Sequence, residues 1–318
     1  PSPFEEAAIM VVDGQGVPLI RTDGDQLAGC LAYGNGSSIN VLHEINARQS
    51  LGAIYSEFTK VAGFETHQEG KTMGLAPYGT SKYYDILKKE LKFDTVDFDF
   101  RNIKSLIKRG FKPMNVLYKL PAYSSFLRKF SRRAKKSEIT DVERDLSFAV
   151  QKITEDAMLF LADWLYEKTG SKNLCIAGGV GLNCVANYQV LLKSKFDNIF
   201  THPNPGDNGL AVGQALYVYN IVKKNPRKYI ATSDSLGKLY SENWVRRALE
   251  PYRANQNIEI QEFIDLGEMY DLMASAIESG QITSWFQGRS EFGPRALGNR
   301  SIIADPRSPM MQKQLNLK

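Results

Sequence analysis

Apolar and polar positions divide the chain into short strands and longer helices. Ala7–Val12 and Val17–Arg21 read as the two strands of a hairpin around Asp13-Gly14-Gln15-Gly16, the first of them at a sheet edge. Leu51, Ile54, Tyr55, Phe58, Val61 and Ala62 recur at helical spacing, and Gly63 stops that helix. His67–Gly79 holds Gly70, Gly74, Gly79 and Pro77, and reads as a loop. Thr140-Asp141-Val142-Glu143 is a capping box. Val142, Leu146, Ala149, Val150, Ile153, Ala157, Leu161 and Leu165 then form one apolar stripe, on a long helix that ends near Gly170.

The stretch after that helix repeats one unit. A short apolar strand, Leu174–Ala177, runs into Gly178-Gly179-Val180-Gly181, and a helix follows from about Asn183. A second strand, Asn198–Thr201, meets Pro203-Asn204-Pro205-Gly206-Asp207-Asn208-Gly209 and another small-residue helix. Both units offer what an anion needs: glycines that let backbone N–H groups approach, with a helix N-terminus behind them. Asp207 either caps its helix or holds a metal that bridges phosphates, and the two roles are compatible. Repeated strand–helix connections predict an α/β layer with parallel strands. Asn225-Pro226-Arg227 opens a linker; helices over Trp244–Arg253 and Leu266–Gly280 and a strand over Ile282–Phe286 follow.

Charge changes the picture in one place. Residues 101–137 carry twelve Lys and Arg and no acid, so without them the chain's net +5 becomes −7. The body is acidic and carries one basic helical insertion, over 85–138. It is either a solvated face or a contact for an acidic acceptor or another domain. An acidic body argues against a nucleic-acid partner. No run of eighteen apolar residues predicts a membrane span. The three cysteines include no C-x-x-C pair, which suits a reducing cytoplasm, and the three histidines show no zinc spacing. Gly70-Lys71-Thr72 ends like a phosphate-binding Walker loop, but Glu65 stands where that loop needs its first glycine. Taken alone, Lys71 is a solvated lysine.

Four segments in order, GKTMGLAPYG, GGVGLN, HPNPGDNGLAVGQA and GRSEFGPRALGNRSIIADPR, resemble the O-carbamoyltransferase family. The resemblance implies an actin-like domain of the acetate/sugar kinase superfamily, a mixed sheet with flanking helices, over residues 1–236. It also implies the beginning of a YrdC-like α/β domain over 237–318. It implies ATP, a divalent metal (Fe or Mg) and carbamoyl phosphate as ligands, carbamoyl adenylate as intermediate, and a small-molecule hydroxyl as acceptor. By position, Lys71, Gly178, Gly179, Val180, Gly181 and Asn183 are the nucleotide candidates, and Asp207 is the metal candidate. Arg289, Arg295, Asn299, Arg300 and Arg307 fall in the carbamoyl phosphate region. A turn around Leu297-Gly298-Asn299 can aim Arg295 and Arg300 into one pocket, with Arg289 entering from the strand end; alternatively they pair with Glu291 or Asp305 and hold the turn. The H-x-x-x-H metal pattern of relatives is absent, and the sequence reads as a fragment open at both ends that is inactive by itself. The rival readings are a sugar- or acetate-kinase-like phosphotransferase and a non-catalytic ATP-binding switch.

Overall fold

The computed structural model describes residues 1–16, 26–90, 93, 95–98, 100 and 138–317. These fall into two compact units, Pro1–Ala231 and Thr232–Lys318. The expected strand Val17–Arg21 and most of the basic insertion, including all of 101–137, lie outside the described residues.

The first unit is built on a five-stranded mixed sheet in the order β3-β2-β1-β4-β5. Its strands are β1 (Glu6–Val12), β2 (Leu27–Asn35), β3 (Ser38–Asn46), β4 (Asn173–Ala177) and β5 (Asn198–Thr201). Two expectations change here. β1 is central, and its antiparallel partner is Leu27–Asn35, with Val12 opposite Gly29. On its other side it pairs in parallel with β4, Ala8 opposite Leu174, and β4 pairs in parallel with β5. A mixed sheet with flanking helices is the α/β, actin-like arrangement that the resemblance implied.

Its helices are α1 (Leu51–Val61), α2 (Glu69–Leu75), α3 (Tyr84–Glu90), α4 (Asp141–Thr169), α5 (Cys184–Lys193) and α6 (Leu210–Leu216). The capping box forms as read: the Glu143 side chain accepts from the Thr140 N–H, and Gly170 ends α4 in the left-handed conformation at φ 62°. The stripe on α4 packs against β1, β2, α1, α2, α3 and α5. Leu146, Ile153, Leu161 and Leu165 are buried with Met10, Leu31, Ile54 and Phe58 in one core. Each such side chain contributes about 1.5–3 kcal/mol on removal from water. The stretch expected as a loop, His67–Gly79, is helical from Glu69. Its glycines are overridden by tertiary burial, because Thr72, Leu75 and Ala76 are buried where α2 packs on α4 and α1.

The second unit contains α7 (Glu242–Leu249), α8 (Leu266–Glu278), a hairpin of β6 (Thr283–Phe286) and β7 (Arg300–Ile303), and α9 (Met311–Leu317). Among the described residues no helix is long and apolar enough to cross a membrane.

Candidate functional site

Because β1, β4 and β5 run parallel, their carboxyl ends open on one edge of the sheet. That edge is where α/β folds hold ligands. The loops that leave it are Asp13–Gly16, Gly178–Gly181 and Pro203–Gly206. Hydrogen bonds stitch all three together. The Gly178 N–H donates to the Pro205 carbonyl at 2.8 Å. The Gly179 N–H donates to Asp13 Oδ2 at 2.7 Å, and the Gly14 N–H to Asp13 Oδ1 at 2.6 Å. Backbone N–H groups of two separate glycine loops thus converge on one carboxylate. This is anion-binding geometry with the chain's own anion in it.

Close approach demands glycine at two of these positions. Gly178 has φ 88°, and a Cβ there would lie 2.1 Å from the Val12 carbonyl oxygen. A Cβ on Gly52 would lie 2.5 Å from the Gly14 nitrogen. That second approach brings the N-terminus of α1 onto the Asp13 loop. The Ser50 hydroxyl donates to the carbonyls of Asp13 and Gly14, and its oxygen accepts from the Ala53 N–H at 2.9 Å. The positive end of an eleven-residue helix therefore rests on the loop, which favours negative charge there.

The nucleotide candidates divide. Gly178, Gly179, Val180 and Gly181 form the middle loop, and Val180 is buried under it. Asn183 caps α5 and turns inward: its Oδ1 accepts from the Ala186 N–H at 3.0 Å, and its Nδ2 donates to Gln151 at 3.0 Å. Lys71 lies on α2 with its ammonium 5.9 Å from the centre of the Phe64 ring. No hydrogen bond or ion pair among the described residues ties it to the three loops. Asp207 is exposed and begins a short 3₁₀ turn whose cap position is Gly206, so it does not act as the cap. Its carboxylate accepts no hydrogen bond among the described residues. Asp13, read from sequence as a turn residue, is the functional candidate that reading missed. The available signal was an acid placed at a strand end before Gly-x-Gly.

In the second unit the arginine-rich motif spans the connection between β6 and β7. It is organised around Glu291, which is 5% exposed. Glu291 Oε1 accepts from the Leu297 and Asn299 N–H groups at 2.7 Å each, and Oε2 from Arg300 Nε at 2.7 Å. Burial alone would raise the Glu291 pKa; the Leu297 N–H, the Arg300 guanidinium and the Asn299 N–H outweigh it and bring it down to about 2. Arg300 also donates to the Gly293 carbonyl, so it holds the turn. Arg307 pairs with Asp305 at 2.8 Å. The Arg289 guanidinium donates to the Gly237 carbonyl, and Asn299 Nδ2 to the Ser235 hydroxyl and the Arg289 carbonyl. The Arg295 side chain stands exposed on the braced loop and makes no hydrogen bond or ion pair among the described residues.

The family model described as Carbamoyltransferase N-terminus matches residues 1–216, and the one described as Carbamoyltransferase C-terminus matches residues 274–318. The chain belongs to the carbamoyltransferase family. The first match covers all three loops with Asp13 and Asp207, and the second covers Glu291 and its arginines. Among relatives, an uncharacterised protein of Synechocystis is 36% identical over the whole of this chain and 50% of its own length. The nodulation protein NolO of Bradyrhizobium diazoefficiens is 32% identical over 99% of this chain and 53% of its own. A 3'-hydroxymethylcephem-O-carbamoyltransferase of Amycolatopsis lactamdurans is 29% identical over 45% of this chain and 25% of its own. The chain spans about half the length of the first two. These matches bear out the resemblance drawn from the four ordered motifs.

Proposed function

We propose that this carbamoyltransferase chain binds ATP at the three stitched loops and carbamoyl phosphate at the Glu291-braced loop, as parts of an O-carbamoyltransferase. The observation that carries the reading is the convergence of the Gly14 and Gly179 N–H groups on one carboxylate at the carboxyl ends of parallel strands. A phosphate oxygen that takes the place of the Asp13 carboxylate meets the same donors, with the α1 N-terminus behind them, and frees that carboxylate for a metal. In the reaction, water attacks the phosphorus of carbamoyl phosphate, the bond from phosphorus to the carbamoyl oxygen breaks, and inorganic phosphate and carbamate result. A carbamate oxygen then attacks the α-phosphorus of ATP, and pyrophosphate leaves. The acceptor hydroxyl attacks the carbamoyl carbon of the adenylate, its proton passes to a base, and AMP departs. The acceptor is a small molecule with a free hydroxyl.

Bringing these anions together costs repulsion that cations must offset. Arg295 supplies a guanidinium fork on a loop that Glu291 and Arg300 have already ordered, so little of its loop's freedom is lost on binding. Asp207 and Asp13 are the carboxylates of the loop edge, and no group of three or more metal-ligating side chains occurs among the described residues. One or two carboxylates completed by phosphate oxygens and water suit Mg²⁺ rather than a site built wholly of protein ligands. A bound Mg²⁺ would neutralise charge on the triphosphate as pyrophosphate leaves.

Thermal denaturation with each ligand separately tests the reading. Mg-ATP and carbamoyl phosphate are each expected to raise the melting temperature, by a stabilisation of about 2.7 kcal/mol at a hundredfold excess over Kd. A response to ATP with none to carbamoyl phosphate would replace this reading with the kinase or switch alternative. In the full-length protein, pyrophosphate release is expected only when carbamoyl phosphate is present.

A further inference from the structure

Behind the Gly178–Gly181 loop, on its core side, lie four buried polar side chains that the substrate-facing groups do not include. They are Tyr55 on α1, Gln151 and Glu155 on α4, and Asn183 at the start of α5. Buried polar atoms are costly unless bonded, so the pattern of their bonds is informative. Gln151 is the hub. Its Oε1 accepts from the Tyr55 hydroxyl at 2.9 Å and from Asn183 Nδ2 at 3.0 Å. Its Nε2 donates to Asn183 Oδ1 at 3.2 Å and to Glu155 Oε1 at 3.1 Å. Both lone pairs and both N–H groups of the amide are in use. Glu155, held by Lys152 at 2.6 Å, fixes which way the amide faces, since an ionised carboxylate only accepts.

The Gln151–Asn183 contact is therefore a closed amide–amide ring. It grips the residue whose own N–H donates to the Val180 carbonyl at 2.9 Å and so closes the loop. The same helix that carries Tyr55 carries Ser50 at its cap, and Ser50 holds the Asp13–Gly14 carbonyls. One rigid helix pair, α1 with α4, thus grips both loops from behind: the first through Ser50, the second through Tyr55, Gln151 and Asn183. Gln151 lies on a buried polar strip of α4, with Ser147 one turn before it and Thr154 and Glu155 one turn after.

We propose that Gln151 is a positioning residue for the nucleotide phosphates. Through Asn183 it holds the Gly178–Gly181 loop in register with the Asp13 loop, so that N–H groups of both meet one anion. This rests on the nucleotide reading above. The test uses the 318-residue chain with Mg-ADP as probe, in unchanged form and as Gln151→Leu and Tyr55→Phe. Calorimetry gives affinity, and hydrogen exchange of the Gly179–Leu182 amides without nucleotide gives loop order. Gln151→Leu is expected to weaken Mg-ADP at least tenfold and to speed exchange in that loop. Tyr55→Phe removes the hydroxyl that donates to Gln151 Oε1 and leaves the side chains of both loops unchanged. It is expected to weaken Mg-ADP two- to threefold and to speed the same amides, and it decides the matter if Gln151→Leu does not fold. Variants that melt lower but keep the affinity and exchange of the unchanged chain would overturn the proposal and leave the nucleotide reading standing. Failure of the unchanged chain to bind Mg-ADP would overturn both.

Discussion

Gly178→Ala is a direct test of the loop architecture. The new methyl carbon would sit 2.1 Å from the Val12 carbonyl oxygen and 2.6 Å from its carbon, and the backbone is at φ 88°. With ψ at 162° this is an extended positive-φ region populated almost only by glycine, and it costs an L-residue about 1–3 kcal/mol. The clash is with the backbone of β1, where no side chain can rotate away, so relief requires β1 and β4 to separate. Overpacking of that kind costs about 1–3 kcal/mol more. A loss of roughly 2–6 kcal/mol is a large share of a typical domain's 5–15 kcal/mol. At a urea slope of about 2 kcal/mol/M the midpoint falls by roughly 1–3 M. With Trp244 and Trp285 replaced by Phe, Trp164 is the remaining tryptophan and its fluorescence follows the first unit alone. Gly213→Ala is the control: it lies within α6, nothing approaches its Cβ within 4 Å, and it should stabilise by about 0.5–1 kcal/mol. An unfolding free energy for Gly178→Ala within about 0.5 kcal/mol of the unchanged chain would refute the steric argument.

Three further outcomes are expected. Glu291 has its folded pKa depressed to about 2 from 4.5, so its contribution to stability is complete above pH 4.5 and is lost as pH falls through about 2. Acid unfolding of the second unit, followed by Trp285, should therefore steepen across that window, and Glu291→Gln should flatten it. Arg295→Lys should weaken carbamoyl phosphate about tenfold or more with an unchanged melting temperature, whereas Arg300→Lys should lower the melting temperature by breaking the Glu291 pair. The reverse ranking would exchange their roles. Asp207→Asn should leave the fold intact and weaken magnesium-dependent nucleotide binding, and equal affinities in magnesium titrations would remove Asp207 from the metal site.

Sequence pattern revealed what is locally encoded. The box at Thr140 and the apolar stripe of α4 carry their instructions within a few turns of helix. The strand–glycine–helix units at β4 and β5 do so within a dozen residues. Other features depend on distant partners. β2 and β3 escaped notice because Gly29 and Gly34 interrupt one strand, and Ser38–Leu42 face solvent on the other, so neither alternates cleanly. The central place of β1 follows from β4, which no local pattern names. Asp13 reads as turn chemistry until Gly179, 166 residues later, is found on its carboxylate. Gln151 lies beside the apolar stripe with Ser147, Thr154 and Glu155, and only the fold shows that it is buried facing Asn183. Among the arginines, spacing alone could not separate Arg300, which braces the turn, from Arg295, which stands clear of it.

The pairing of β1 with β4 also fixes an order of events during synthesis. Until β4 is made, β1 has one neighbour, and Ala8-Ile9-Met10-Val11 forms an open apolar edge. At about 5–20 residues per second, Ala177 follows Val11 by roughly 8–33 s. For that interval the nascent chain carries a strand with one open edge, of the kind that recruits other strands. The length of the basic insertion and of α4 sets how long the edge stays open. Shortening residues 101–137 would therefore reduce aggregation of the growing chain, even where it leaves the finished sheet unchanged.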